Sequence, residues 1–204
     1  MPDWDADSPE LRRNLASILE EIVDRADLRE TPSVELAPDW QMRLMQGLNA
    51  EARYVGAFRG EPGLEKTGVK IGAYLGTPAV QVKEDLKNFE QTLQAVVAQL
   101  DRALPVGRKL DADERDAVID LCAWAHTEWT RIHPFANGNG RTARLWANFL
   151  AVRYRLPPFI RLRPRPDEGY ADAGARAMQG DWQPTALVFR RLLVSFLDED
   201  ESSG

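Results

Sequence analysis

The sequence is poor in the residues that usually hold metals or staple small folds. Among 204 residues there is one cysteine, Cys122, and there are two histidines, His126 and His133. A single thiol excludes an intramolecular disulfide framework and fits a reducing compartment. His126 and His133 could make a metal pair, but no cluster of Cys, His or acid at ligand spacing completes one, so His126 reads as a buried packing and hydrogen-bonding residue. No apolar run of eighteen residues exists, and the opening MPDWDADSPE is acidic without an apolar centre. Neither a membrane partner nor a secretory leader is therefore expected, and the expected location is the cytoplasm, or that of an exported bacterial effector. Positive charge is also in deficit, with 26 Lys and Arg against 32 Asp and Glu and a net charge of -6. A general nucleic-acid binder would carry the reverse balance, so no nucleic-acid partner is expected.

What is present is ordinary for a globular protein: 44% hydrophobic and 28% charged residues, with no internal repeat or low-complexity block. Ser8-Pro9-Glu10 reads as a helix start, and Leu11, Leu15, Ile18 and Ile22 recur at helical spacing behind it. A polar linker from Arg29 to Asp39 suggests a division into an N-terminal helix and linker, 1–38, and a core, 39–204. A second helix is expected around Trp40 to Ala50. Val69 to Tyr74 alternates like a short strand, with Ala79 to Val82 as its expected partner across Gly76-Thr77-Pro78. From Lys83 onward the stripes are helical: Leu86, Phe89, Leu93, Val96 and Leu100, then Val118 to Ile132, then Leu145, Phe149 and Val152, then two more helices. The fold class this predicts is all-α, a helical bundle with one small β-hairpin.

The stretch that stands out is His133 to Arg144, HPFANGNGRTAR. Gly138 and Gly140 bracket Asn139, and the glycines give way to good helix formers. A glycine loop leading into a helix leaves N–H groups unpaired at the positive end of the helix dipole, which suits an anion. Arg141 and Arg144, three apart, add two forked cations matched to phosphate oxygens. The residues alone describe a polyphosphate cradle with a histidine at its lip and Phe135 as an apolar plug.

This stretch resembles the signature of the Fic family, His-x-Phe-x-(Asp or Glu)-Gly-Asn-Gly-Arg-x-x-Arg, and meets seven of its eight specified positions. Asn137 stands where the family usually carries a carboxylate. AHTEWTRI at 125–132, Gly180-Asp181 and the last apolar helix extend the likeness from about Trp40 to Leu197. The resemblance implies a protein adenylyltransferase, moving AMP from ATP to a Ser, Thr or Tyr hydroxyl of a target protein with release of pyrophosphate. His133 would be the general base. Gly138, Asn139 and Gly140 would hold the α-phosphate, Arg141 and Arg144 the β- and γ-phosphates, and Mg²⁺ would bridge them. Asn137 would be the metal ligand, as an amide without charge, which leaves three outcomes: transfer with weaker metal affinity, use of another phosphate-containing donor, or a binding module without catalysis. Val69, Lys70, Ile71 and Gly72 would form the flap edge that pairs with the target segment.

The family also implies restraint, by a helix carrying Ser or Thr, three residues, Glu, then Gly or Asn, whose glutamate pairs with the second motif arginine. Partial matches end at Glu21, followed by Ile22, and at Glu199, followed by Asp200. The alternative is a separate inhibitory partner, as in toxin–antitoxin pairs, or no such control.

Overall fold

In the computed structural model, which describes residues 8–104, 106–167 and 169–203, the helical periodicities of the sequence become seven α-helices among those residues. The first, α1 (Pro9–Asp27), starts as capping chemistry dictates: Ser8 Oγ accepts the Leu11 N–H at 3.1 Å and Pro9 takes the first turn. Its stripe of Leu11, Leu15, Ile18 and Ile22 is buried in the same core as the remaining helices. The second helix, α2 (Leu36–Leu44), begins earlier than the spacing around Trp40 to Ala50 suggests. Ala37 extends the Trp40 and Leu44 face backwards, and Gly47, at φ 72°, follows its end. A boundary between residues 38 and 39 would thus cut α2, and α1 packs directly on the central helix described below.

The hairpin differs from expectation in its second strand. β1 (Lys70–Ile71) pairs antiparallel with β2 (Tyr74–Leu75), Lys70 opposite Leu75 and Ile71 opposite Tyr74, around Gly72 and Ala73. Ala79 to Val82 is not a strand but the first turn of α3 (Ala79–Ala103). Val82 opens the buried stripe that continues through Leu86, Phe89, Leu93 and Val97, and a four-residue apolar run cannot by itself tell the two periods apart.

Two helices then build the centre. α4 (Ala112–Ile132) is started by a reciprocal cap between Asp111 and Glu114, and α5 (Asn139–Arg153) is buried along nearly its whole length. α1, α2, α3 and α4 pack around α5 or its neighbour, and α6 (Tyr170–Ala177) and α7 (Gln183–Ser203) close the α4 side. Trp146 of α5 lies 4.9 Å from the Trp40 ring and 5.8 Å from those of Phe89 and Trp129, so four elements share one aromatic centre. Truncating such a ring to alanine typically costs about 3–5 kcal/mol, which is why the loop between α4 and α5 has a firm floor. Among the described residues no helix is long and apolar enough to cross a membrane.

Candidate active site

The histidine is placed by the end of α4. His133 caps that helix in the left-handed region, φ 53° and ψ 57°, which turns the chain sharply into the loop. Its Nδ1 lies 2.9 Å from the Thr130 carbonyl. A carbonyl only accepts, so Nδ1 carries the proton and Nε2 is left with its lone pair. Burial pushes the imidazole's pKa down to about 4; the Thr130 bond opposes this and the Arg59 cation adds to it. At neutral pH His133 is therefore an unprotonated base.

The loop behind it is held from inside. Phe135 is buried and stacks on Phe58 at 4.9 Å, as a plug should. Asn139 turns its amide inward: Oδ1 accepts the Phe135 N–H at 2.8 Å and Nδ2 donates to the Phe135 carbonyl at 2.9 Å. The Asn139 side chain thus clamps the loop and is not a phosphate ligand; what it offers an anion is its main-chain N–H. Gly138 also offers less than expected, because its N–H is taken by Asn137 Oδ1 at 2.5 Å. Its φ of 89° is a second reason for glycine there, since an added Cβ would also press Met45 at 3.1 Å. The N–H groups of Asn139 and Gly140 remain without an acceptor among the described residues, at the start of a buried helix.

The two arginines are not a solvated face. Arg141 is 3% exposed and donates from Nη2 to Asn137 Oδ1 at 3.1 Å. Arg144 is 5% exposed, lies beneath Gly140, and donates to the Tyr170 hydroxyl at 3.3 Å and the Leu162 carbonyl at 3.0 Å. Its Nε is buried without a partner. Tyr170 in turn meets His126 Nε2 at 2.6 Å, so His126 is the hydrogen-bonded core residue its position suggests; burial pushes its pKa down to about 3, and Arg144 adds to that.

Glu21, one of the two partial matches to the restraint pattern, pairs elsewhere than with Arg144. Its carboxylate is held by Arg43 of α2 and by Arg25 at 2.7 Å, on the α1–α2 surface. Glu199 is exposed near the end of α7, beside Arg161 and Phe196. No carboxylate pairs with Arg144 among the described residues.

The hairpin does reach the histidine. Gly76 donates to the Val69 carbonyl at 3.2 Å, and a Cβ added at Gly76 would lie 2.9 Å from that of His133. Val69, Lys70, Ile71 and Gly72 therefore start an edge beside the candidate base, with Lys70 and Gly72 exposed. Sequence reasoning missed Arg59, Gln41 and Tyr170. Arg59 bonds the backbone on either side of His133, and Gln41 Nε2 donates to the carbonyls of Tyr54 and Asn137. No local pattern marks these residues, since each acts on a segment distant in the chain.

Magnesium is not well served by the residues present. Asn137 Oδ1 already accepts two donors and brings no charge, and no group of three or more His, Cys, Asp or Glu suited to a metal occurs among the described residues. The donor set fits an anion and not a cation.

The helical bundle thus joins, through the loop 133–138, a neutral histidine next to a short hairpin with the first amides of a buried central helix, a chemistry that suits an anion and a general base. The chain belongs to the Fic/DOC family, whose model matches residues 33–151. It is similar to a protein adenylyltransferase Fic of Nematostella vectensis, 42% identical over 81 residues, which are 39% of this chain and 18% of that protein. The same named protein of Aedes aegypti is 39% identical over 66 residues, 32% of this chain and 13% of that one. The matched stretch thus spans less than a fifth of these relatives. Among solved structures, a Fic domain containing signaling protein from Bacteroides thetaiotaomicron superposes with TM-score 0.64 at 18% identity, over 91% of this chain and 70% of that one. The BepC protein from Bartonella tribocorum, a VirB-translocated effector with bound AMPPNP, gives 0.58 at 18% identity, over 93% and 90%. These two likenesses bear on the fold.

Proposed function

We propose that this chain transfers the adenylyl group of ATP to a Ser, Thr or Tyr hydroxyl of a target protein. The observation that carries the reading is the pairing of a neutral His133, its Nε2 lone pair unspent, with unpaired N–H groups at the start of α5. In the reaction Nε2 takes the proton of the target hydroxyl, the hydroxyl oxygen bonds to the α-phosphorus, and the bond from that phosphorus to the bridging oxygen breaks to release pyrophosphate. The Asn139 and Gly140 amides hold the charge that grows on the α-phosphate, in a site where donors are already oriented. Arg141 and Arg144 take the remaining phosphates with forked, permanently charged donors. The Val69–Gly72 edge receives the target segment by strand pairing. No carboxylate pairs with Arg144 among the described residues, so restraint by a separate inhibitory protein, or no such control, is what fits this chain.

The uncharged Asn137, tied to Arg141, favours a second reading in which the site binds a phosphate-containing ligand, with another donor or without transfer. Incubating the chain and a protein lysate with ATP labelled at the α- or at the γ-phosphate separates these. Protein-bound α-label that disappears in His133→Ala is the expected result. Retention of γ-label instead, or of label from another nucleotide, would indicate a different transferred group. ATP binding without any labelling would leave the binding module.

A further inference from the structure

Arg59 lies 74 residues before His133, yet three consecutive carbonyls around the histidine accept from it. Its Nη2 donates to Ile132 at 2.9 Å, its Nε to His133 at 2.7 Å, and its main-chain N–H to Pro134 at 2.7 Å. The side chain is 1% exposed and has no carboxylate partner among the described residues. A buried cation without a counter-ion is costly, and burial pulls its own pKa down to about 10. Part of the compensation comes from place, because the carbonyls of Ile132 and His133 form the negative end of the α4 dipole. Neutral packing would avoid the desolvation, so the charge has another use.

The remaining nitrogen points to that use. Nη1 donates to the Thr67 carbonyl at 3.1 Å, three residues before β1. On the far side of the hairpin, a Cβ at Gly76 would meet Val69 Cγ2 at 2.7 Å, His133 Cβ at 2.9 Å and Arg59 Nη2 at 3.3 Å. Gly60, at φ 93°, passes so close to the Ala79 carbonyl that a Cβ on it would lie at 2.2 Å, so the residue that follows Arg59 is set against the start of α3. Both ends of the hairpin thus meet at one guanidinium.

We propose that Arg59 is a positioning residue that couples the β1–β2 hairpin to His133. A segment that adds to the Val69–Gly72 edge orders the hairpin, and Thr67 and Arg59 pass that order to the carbonyls that fix the imidazole's direction. The coupling is a property of this chain, while its use in aligning a base rests on the transfer reading above.

With only two histidines, ring resonances report His133 and His126 separately in an NMR titration. The charged group acting on His133 is Arg59; Gly76 and Val69 of the hairpin and Thr130 of α4 bring none. In Arg59→Met the His133 titration is expected to rise above about 4, the larger part of the depression, set by burial, remaining, while His126 keeps its value, and amide exchange at Ile71 to Gly76 is expected to quicken. Arg59→Lys should restore the titration more than the exchange, since one ammonium cannot span the three carbonyls that the guanidinium holds. In a transfer assay kcat falls, by about 100-fold, with KM for ATP unchanged. A folded Arg59→Met with wild-type His133 titration and hairpin exchange would overturn the coupling. If Arg59→Met does not fold, Gly76→Ala presses the same junction from the hairpin side, and an unmoved His133 there overturns it equally. Absence of transfer by the wild-type chain counts against the proposed function alone, because titration and exchange need no substrate.

Discussion

Asn137 shows how one side chain decides which chemistry a loop supports. Its Oδ1 takes the Gly138 N–H and an Arg141 donor, so at this contact the arginine is steered by a neutral group. Aspartate at the same point would share that arginine and offer Mg²⁺ one of the carboxylates it normally takes with phosphates. Calorimetric titration of Asn137→Asp with ATP is expected to show on the order of tenfold tighter binding with Mg²⁺ than with chelator, against little difference in the parent chain. An equal metal response in both would mean that the metal is held from elsewhere. At this scale the sequence identifies the loop and its histidine, because a glycine-bracketed turn into a helix has few other uses. It does not say which atoms of the loop are spent internally: Asn139 faces Phe135, and Gly138 has already given away its N–H. Arg59 and Tyr170 are invisible in the sequence for a different reason, since their partners are tens of residues away and only packing brings them together.

At the scale of elements, periodicity carries most of the reading. The stripes of α1, α4 and α5 are buried where spacing puts them, because a helix that presents apolar groups every three or four residues must cover them; that of α3 holds as far as Leu93, after which Val97 is buried and Val96 and Leu100 are half-buried. The errors fall at short segments: the first turn of α3 looks like a strand, and α2 is only nine residues long with its start in a polar linker. The polar linker also hides that α1 belongs to the bundle. Ile18 is fully buried between α1 and its neighbours, so Ile18→Ala is expected to lower unfolding stability by about 2–5 kcal/mol in urea denaturation. A loss within about 0.5 kcal/mol, the usual range of a surface change, would return α1 to the status of an appendage.

The whole molecule carries its two histidines in one protonation state. Both are held neutral by burial, His133 with a pKa near 4 and His126 near 3, against 6.5 in an open chain. As pH falls below 6.5 the unfolded chain takes up protons that the folded chain refuses, so stability declines with falling pH down to about 4 and 3 respectively. Above 6.5 both states are neutral at these groups and they contribute no slope. Thermal unfolding between pH 7 and 4.5 should show the decline, on the order of 1 kcal/mol per pH unit for each histidine, and His126→Gln should flatten it. A slope unchanged by that substitution would assign the acid sensitivity to the carboxylates.

α5 has a last consequence. Because nearly every residue of that helix is covered by protein, the field of its aligned peptides leaves through one opening, at Asn139 and Gly140. Ions of the medium have little room along its flanks to damp that field. The pull on a ligand's phosphate at this mouth is therefore largely indifferent to ionic strength, unlike the attraction of a basic patch spread over a surface.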